Sequence, residues 1–172
     1  MTAKRHSRRR LLRWVGGWLG LAGMTAPFAI AAQGALPRIR RGREDPQPVE
    51  VPLADVPPGE MLQVEWRGKP IFVRHRTAAE IARERAVPVA SLRDPETDQA
   101  RTRRPEWVVV EGICTHGGCI PNGPLGDFGG WYCLCHGSQF DTAGRVRAGP
   151  ARENLKIPPH EFVSELVLRV GP

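Results

Sequence analysis

Cys114-Thr115-His116-Gly117-Gly118-Cys119 and Cys133-Leu134-Cys135-His136-Gly137-Ser138 are two short clusters set in glycine-rich surroundings. Each offers one thiolate and one imidazole, as Cys-x-His in the first and Cys-x-x-His in the second, with 16 residues between His116 and Cys133. Each also carries one further cysteine, Cys119 and Cys135. Thiolate and imidazole together bind zinc or iron-sulfur centres, so the pair of loops implies a metal site shared between them.

A structural zinc ion is the plainer alternative, because two Cys and two His suit a tetrahedral site. The spacing argues against it. Zinc fingers usually pair Cys with Cys and His with His, whereas here each loop mixes the two types, as expected if each loop spans a two-iron unit. In that arrangement Cys114 and Cys133 hold one iron, and His116 and His136 hold the other. Neutral imidazoles remove negative charge from such a cluster and raise its potential, into a range of about −150 to +300 mV.

The sequence resembles the Rieske iron-sulfur subunit of the cytochrome bc1 complex, of bacterial type, through these two clusters and through their flanks. The flanks are Gly126-Asp127-Phe128-Gly129-Gly130-Trp131, the stretch Phe140 to Arg147, Gly149 to Leu155, Trp66 to Thr77 and Leu92 to Pro95. The likeness runs from about Val49 onward. It implies a mainly β fold: an N-terminal transmembrane helix, then an antiparallel β head made of a base subdomain with one helix and a small cluster-binding subdomain near residues 112–150. It implies a Rieske-type 2Fe-2S cluster and a disulfide between Cys119 and Cys135. By residue chemistry alone those two cysteines are paired or free, and an exported protein favours pairing. The resemblance also gives Ser138 a hydrogen bond to a bridging sulfide, and makes Gly149-Pro150-Ala151 a proline loop covering the cluster on a third side.

Several positions depart from the family's pattern. Gly117 stands where the family usually has Leu, Leu134 replaces Pro, Gln139-Phe140 replaces His-Tyr, and Arg152 replaces another Pro. The Tyr hydroxyl donates to a ligand sulfur in the family, and Phe140 has none to give. Hydrogen bonds to sulfur stabilise the extra electron, so a somewhat lower potential is expected.

The first 43 residues contain ten Lys or Arg and no acidic residue, whereas the remainder holds 15 basic against 18 acidic side chains. The net charge of +7 therefore sits on one flank and does not point to nucleic acid. Ser7 to Arg13, with Arg8-Arg9-Arg10, resembles a twin-arginine export signal, so residues 1–13 are expected in the cytoplasm. The apolar segment 14–32 would extend roughly 28 Å as a helix, about a bilayer's hydrocarbon thickness. Positive charge before it sends the head across the membrane. Ala29-Ile30-Ala31 offers a cleavage site as the alternative; the resemblance favours an uncleaved, single-pass anchor in the bacterial inner membrane with a periplasmic head. Residues 33–48, with Gly34, Pro37, Gly42 and Pro46, read as a flexible hinge.

Residues 49–172 form the head. Met61 to Trp66 and Pro70 to His75 are predicted as a hairpin around Arg67-Gly68-Lys69, Trp107 to Val110 as a buried strand, and Glu161 to Ser164 with Leu166 to Val170 as a final hairpin. Thr77 with Glu80 predicts a capped helix to about Ala86, stopped by Pro88. Asp94 to Pro105 reads as a solvated, charged excursion. Residues 112–150 read as loops stapled by metal and disulfide rather than by apolar burial. No role is assigned to His6, His75 or His160.

Taken together the resemblance implies electron transfer from ubiquinol to cytochrome c1, in a membrane complex with cytochrome b that is itself dimeric. His136 would meet the quinol and His116 would share the exposed tip. Competing readings are a tethered Rieske subunit of another oxidoreductase, a small Rieske carrier or oxygenase component, and a zinc protein. The small carriers generally lack the Cys119 and Cys135 pair and the membrane segment.

Overall fold

The computed structural model describes residues 47–172; the expected export signal, anchor and most of the hinge lie outside them. Among the described residues no helix is long and apolar enough to cross a membrane. The elements are β1 (Val49–Pro52), β2 (Met61–Trp66), β3 (Lys69–His75), α1 (Ala78–Arg85), β4 (Trp107–Glu111), β5 (Gly129–Cys133), β6 (Ser138–Asp141), β7 (Val146–Ala148), β8 (His160–Phe162) and β9 (Val167–Val170). They make three antiparallel three-stranded sheets, ordered β1-β9-β8, β2-β3-β4 and β5-β6-β7.

The middle sheet is shared by two cores. Successive side chains of a strand point to opposite faces, and β3 and β4 carry large apolar groups on both. Ile71, Val73, Trp107 and Val109 join Val51, Leu168 and Val170 of the first sheet in one core. Phe72, Val108 and Val110 join Trp131, Phe140, Val146 and Leu155 in the other. This explains why Trp107-Val108-Val109-Val110 is an unbroken apolar run.

The β2–β3 hairpin turns on Arg67 and Gly68, both at positive φ, as a two-residue connection requires. Helix α1 has its full capping box: the Thr77 side chain accepts from the Glu80 amide, and the Glu80 carboxylate accepts from the Thr77 amide. The final hairpin forms as predicted, and it pairs with β1, a four-residue strand that the sequence reading passed over.

Two expectations are corrected. Residues 112–150 are not only loops: they hold β5, β6 and β7, and Trp131 and Phe140 are wholly buried. The 94–105 excursion is a solvated face only in part, because Asp98 and Arg101 are buried. Asp98 forms an ion pair with Arg76 in which both side chains are inaccessible, and Arg76 also donates to the Pro105 carbonyl at 2.5 and 3.0 Å. Arg101 is buried and donates to the carbonyls of Ala143 at 2.6 Å and Leu155 at 2.5 Å. Removing one partner of such a buried pair costs about 3–5 kcal/mol, because the other charge is left unpaired.

His160, at the start of β8, is also buried. Its Nδ1 lies 2.9 Å from the Pro158 carbonyl, which can only accept, so Nδ1 carries the proton. Burial pushes its pKa below the ordinary histidine value, against the pull of the Pro158 bond, and Arg103 lowers it further. The unfolded chain, titrating near 6.5, therefore takes up the proton first as pH falls. Stability is complete above that pH and is lost as the pH falls through 6.5 toward the lower folded value. In urea titrations between about pH 7.5 and pH 5, the midpoint of the wild type should fall more steeply than that of His160→Gln; equal slopes would contradict this.

Candidate metal centre

Strand β4 leads into the first ligand loop, and β5 ends on Cys133, which opens the second. The two loops share one device. The Gly118 amide donates to the Cys114 carbonyl at 2.9 Å, and the Gly137 amide donates to the Cys133 carbonyl at 2.8 Å. In each case the donor is a glycine four residues on, at φ 79° and 76°, a conformation that side chains resist. Within each closed turn the histidine is carried outward while the cysteine at its base stays inside.

Cys114 and Cys133 are 2% and 1% exposed, whereas His116 and His136 are exposed. Cys114 and Cys133 lie in one buried core, and the backbone amides of Cys135 and His136 stand near the Cys133 thiol. Burial, and then the neighbouring Cys114, push the Cys133 thiol pKa above its usual value, while the two amides oppose the rise. The two imidazoles meet, edge to face, with ring centres 4.7 Å apart.

Cys119 and Cys135 form the disulfide, with Cα atoms 6.7 Å apart. Together with Cys133 they are the one group of three ligand types among the described residues whose donor atoms all fall within 4.8 Å. Two of those sulfurs are bonded to each other and have no thiolate to offer, so that group is not a metal site. Cys114, His116, Cys133 and His136 do not converge within that distance as a single set. They stand as a buried thiol pair and an exposed imidazole pair, which fits a two-iron unit and not one tetrahedral ion.

The surroundings are built by the other predicted positions. Ser138 is fully buried, pairs with Cys133 across the β5–β6 ladder and accepts the Ala151 amide at 3.0 Å. Phe140 is fully buried in the same apolar core as both free cysteines. A Cβ at Gly117 would meet only the His136 ring, at 4.0 Å, so residue 117 leaves that flank of the imidazole uncovered. Leu134 is 69% exposed at the tip. Gln139 has a task of its own, accepting from the Asp127 amide at 2.8 Å and donating to its carboxylate at 3.1 Å.

Behind β6, Arg145 is bound by Asp141 at 2.9 Å and by Glu84 at 3.1 Å, so a buried ionic knot ties α1 to the strand that carries Ser138 and Phe140. Burial, and then the adjacent Asp141, raise the Glu84 pKa. No motif marked Glu84 in the sequence; its position on the helix face turned inward is the signal that was there to find.

The Rieske [2Fe-2S] domain profile matches residues 47–159, more than half of the chain. The chain belongs to the Rieske [2Fe-2S] domain family. Its cofactor is a Rieske-type 2Fe-2S cluster. Among curated relatives, the mitochondrial cytochrome b-c1 complex subunit Rieske of Theropithecus gelada is 54% identical over 123 residues, 72% of this chain and 45% of that protein. The subunit of the same name from Neurospora crassa is 55% identical over 123 residues, 72% of this chain and 53% of that protein. The chain thus spans about half the length of these Rieske relatives. A chain of the hyperthermophilic respiratory Complex III is 25% identical, with a TM-score of 0.49, and the match covers 84% of this chain and 81% of that one.

Because Phe140 belongs to the same buried core as both free cysteines, a hydroxyl added there tests the altered surroundings of this Rieske centre. Phe140→Tyr should raise the midpoint potential of the reduced-to-oxidised titration; an unchanged or lowered midpoint would contradict a missing donor at this position.

Proposed function

We propose that this chain is the electron-transferring subunit of a membrane quinol oxidoreductase of the cytochrome bc1 type, with Cys114, Cys133, His116 and His136 as the ligands of its cluster. The observation that carries the reading is the division of the four donors: buried thiols behind, paired exposed imidazoles in front. A cluster bound there supplies a one-electron acceptor whose potential is raised by its neutral imidazole ligands. An imidazole that binds metal through one nitrogen has the other left to accept a proton. His136, with its flank open at Gly117, is the ring a quinol hydroxyl reaches; His116 lies beside it. Proton and electron then leave the donor at one place, which suits oxidation of ubiquinol. The names of the curated relatives support the same assignment.

Cytochrome b and cytochrome c1 are the partners this function requires, one presenting the quinol and the other taking the electron, within a dimeric complex. Residues 14–32 would anchor the head in the bacterial inner membrane, residues 1–13 would stay in the cytoplasm as a twin-arginine signal, and 33–48 would let the periplasmic head move between partners. A tether of that kind confines the search to the two docking sites.

The test is purification of the full chain from its native membranes, followed by quinol-driven reduction of cytochrome c. Haem b and haem c1 should copurify, and the activity should respond to quinol-site inhibitors. His136→Gln should abolish it while the haems still copurify. Wild-type turnover in that variant, or a full chain isolated without either haem, would contradict the assignment.

A further inference from the structure

The segment after β7 lies directly on the second ligand loop. Gly149, at φ 81°, is so close that a Cβ there would stand 2.4 Å from the Gly137 carbonyl oxygen and 2.5 Å from the Ser138 Cα. Two residues on, the Ala151 amide donates to the Ser138 hydroxyl. That oxygen is fully buried, and a hydroxyl is a donor as well as an acceptor. Among the described residues no acceptor takes the Ser138 proton, and buried donors are seldom left unspent. Since Ser138 pairs with Cys133 and stands two residues past His136, its proton belongs to the immediate surroundings of the cluster.

The position of the Ser138 hydroxyl thus depends on Ala151. Pro150 has no amide, and the Arg152 and Glu153 side chains are exposed. What brackets the segment is Arg93, 56 residues earlier than Gly149. Its Nη1 donates to the Gly149 carbonyl and to the Ala151 carbonyl, the latter at 2.6 Å. The next residue, Asp94, accepts the Asn154 amide at 2.8 Å and fastens the end of the same segment. Thr115 of the first ligand loop donates to the Glu153 carbonyl at 2.6 Å. A charged donor shared by two carbonyls holds them more firmly than a neutral one.

We propose that Arg93 is a positioning residue for the redox centre: by fixing Gly149 and Ala151 it aims the Ser138 hydroxyl and so holds the potential up. The inference rests on the cluster assignment of the preceding subsection. Arg93 touches no ligand, and its own side chain reaches solvent, so its loss leaves the two cores intact.

The experiment is a redox titration, followed by electron paramagnetic resonance, of membranes carrying the full chain as wild type, Arg93→Ala, Ser138→Ala and the double variant. Arg93→Ala should shift the oxidised-to-reduced balance at a fixed potential by about threefold toward oxidised, a fall of about 28 mV at 59 mV per tenfold. Ser138→Ala should lower the midpoint at least as far, and the double variant should match Ser138→Ala, because the two residues act along one path. A wild-type midpoint in Arg93→Ala would overturn the proposal, as would fully additive shifts in the double variant. If Arg93→Ala does not accumulate, Arg93→Gln, which keeps a side-chain donor without the charge, takes its place with the same outcomes. Absence of a reduced 2Fe-2S signal from the wild type would instead sink the cluster assignment itself.

Discussion

A thiol and an imidazole from each of two loops must face their counterparts across a stretch of chain that the fold has to turn back on itself. The Cys119–Cys135 bond closes that stretch, joining residues 16 apart in sequence. In the chain-entropy account a loop of this length is worth about 3 kcal/mol, taken from the unfolded state. The same bond links the two turns built on Gly118 and Gly137. Around this clasp stand the buried thiols and the outward imidazoles.

The clasp stands on a layered scaffold. Strands β3 and β4 are buried on both faces, giving one core to the terminal sheet and the other to the ligand-bearing sheet. Phe72 of β3 stacks on Trp131 of β5 at 5.9 Å, and the Trp131 Nε1 reaches the Met61 sulfur at 3.2 Å. Burying each such side chain contributes about 1.5–3 kcal/mol, so the ligand loops rest on packed sheet and not on the disulfide alone. Charged residues then tie segments that packing leaves loose, Arg101 to Ala143 and Leu155, and Arg145 to Glu84 and Asp141.

Much of this was legible in the sequence where a local rule has a strong signature. The capping box at Thr77 and Glu80, the turn at Arg67 and Gly68, and the apolar run of β4 each follow from residue type and spacing. The ligand loops stood out because Cys and His together in glycine-rich chain have few other uses. Strands β5 to β7 were hidden by the glycines of their bulged pairing at Gly129 and Trp131, which weaken any alternation. The excursion from 94 to 105 was misread at Asp98 and Arg101 because these charges look solvated in sequence; their partners are backbone carbonyls and a buried Arg76 that only the folded chain brings near. Glu84 carries no mark in the sequence for the same reason, and His160, given no role there, takes its character from burial, which composition does not report.

The central claim is that two thiolates hold one iron and two imidazoles the other. Pulsed electron paramagnetic resonance of the reduced full-length protein, prepared with nitrogen-15 histidine, tests it most directly. Coupling of the unpaired electron to two histidine nitrogens, lost on replacing His116 or His136, is the expected result. A reduced centre with no histidine nitrogen coupling, or a protein that carries only diamagnetic zinc, would contradict the account.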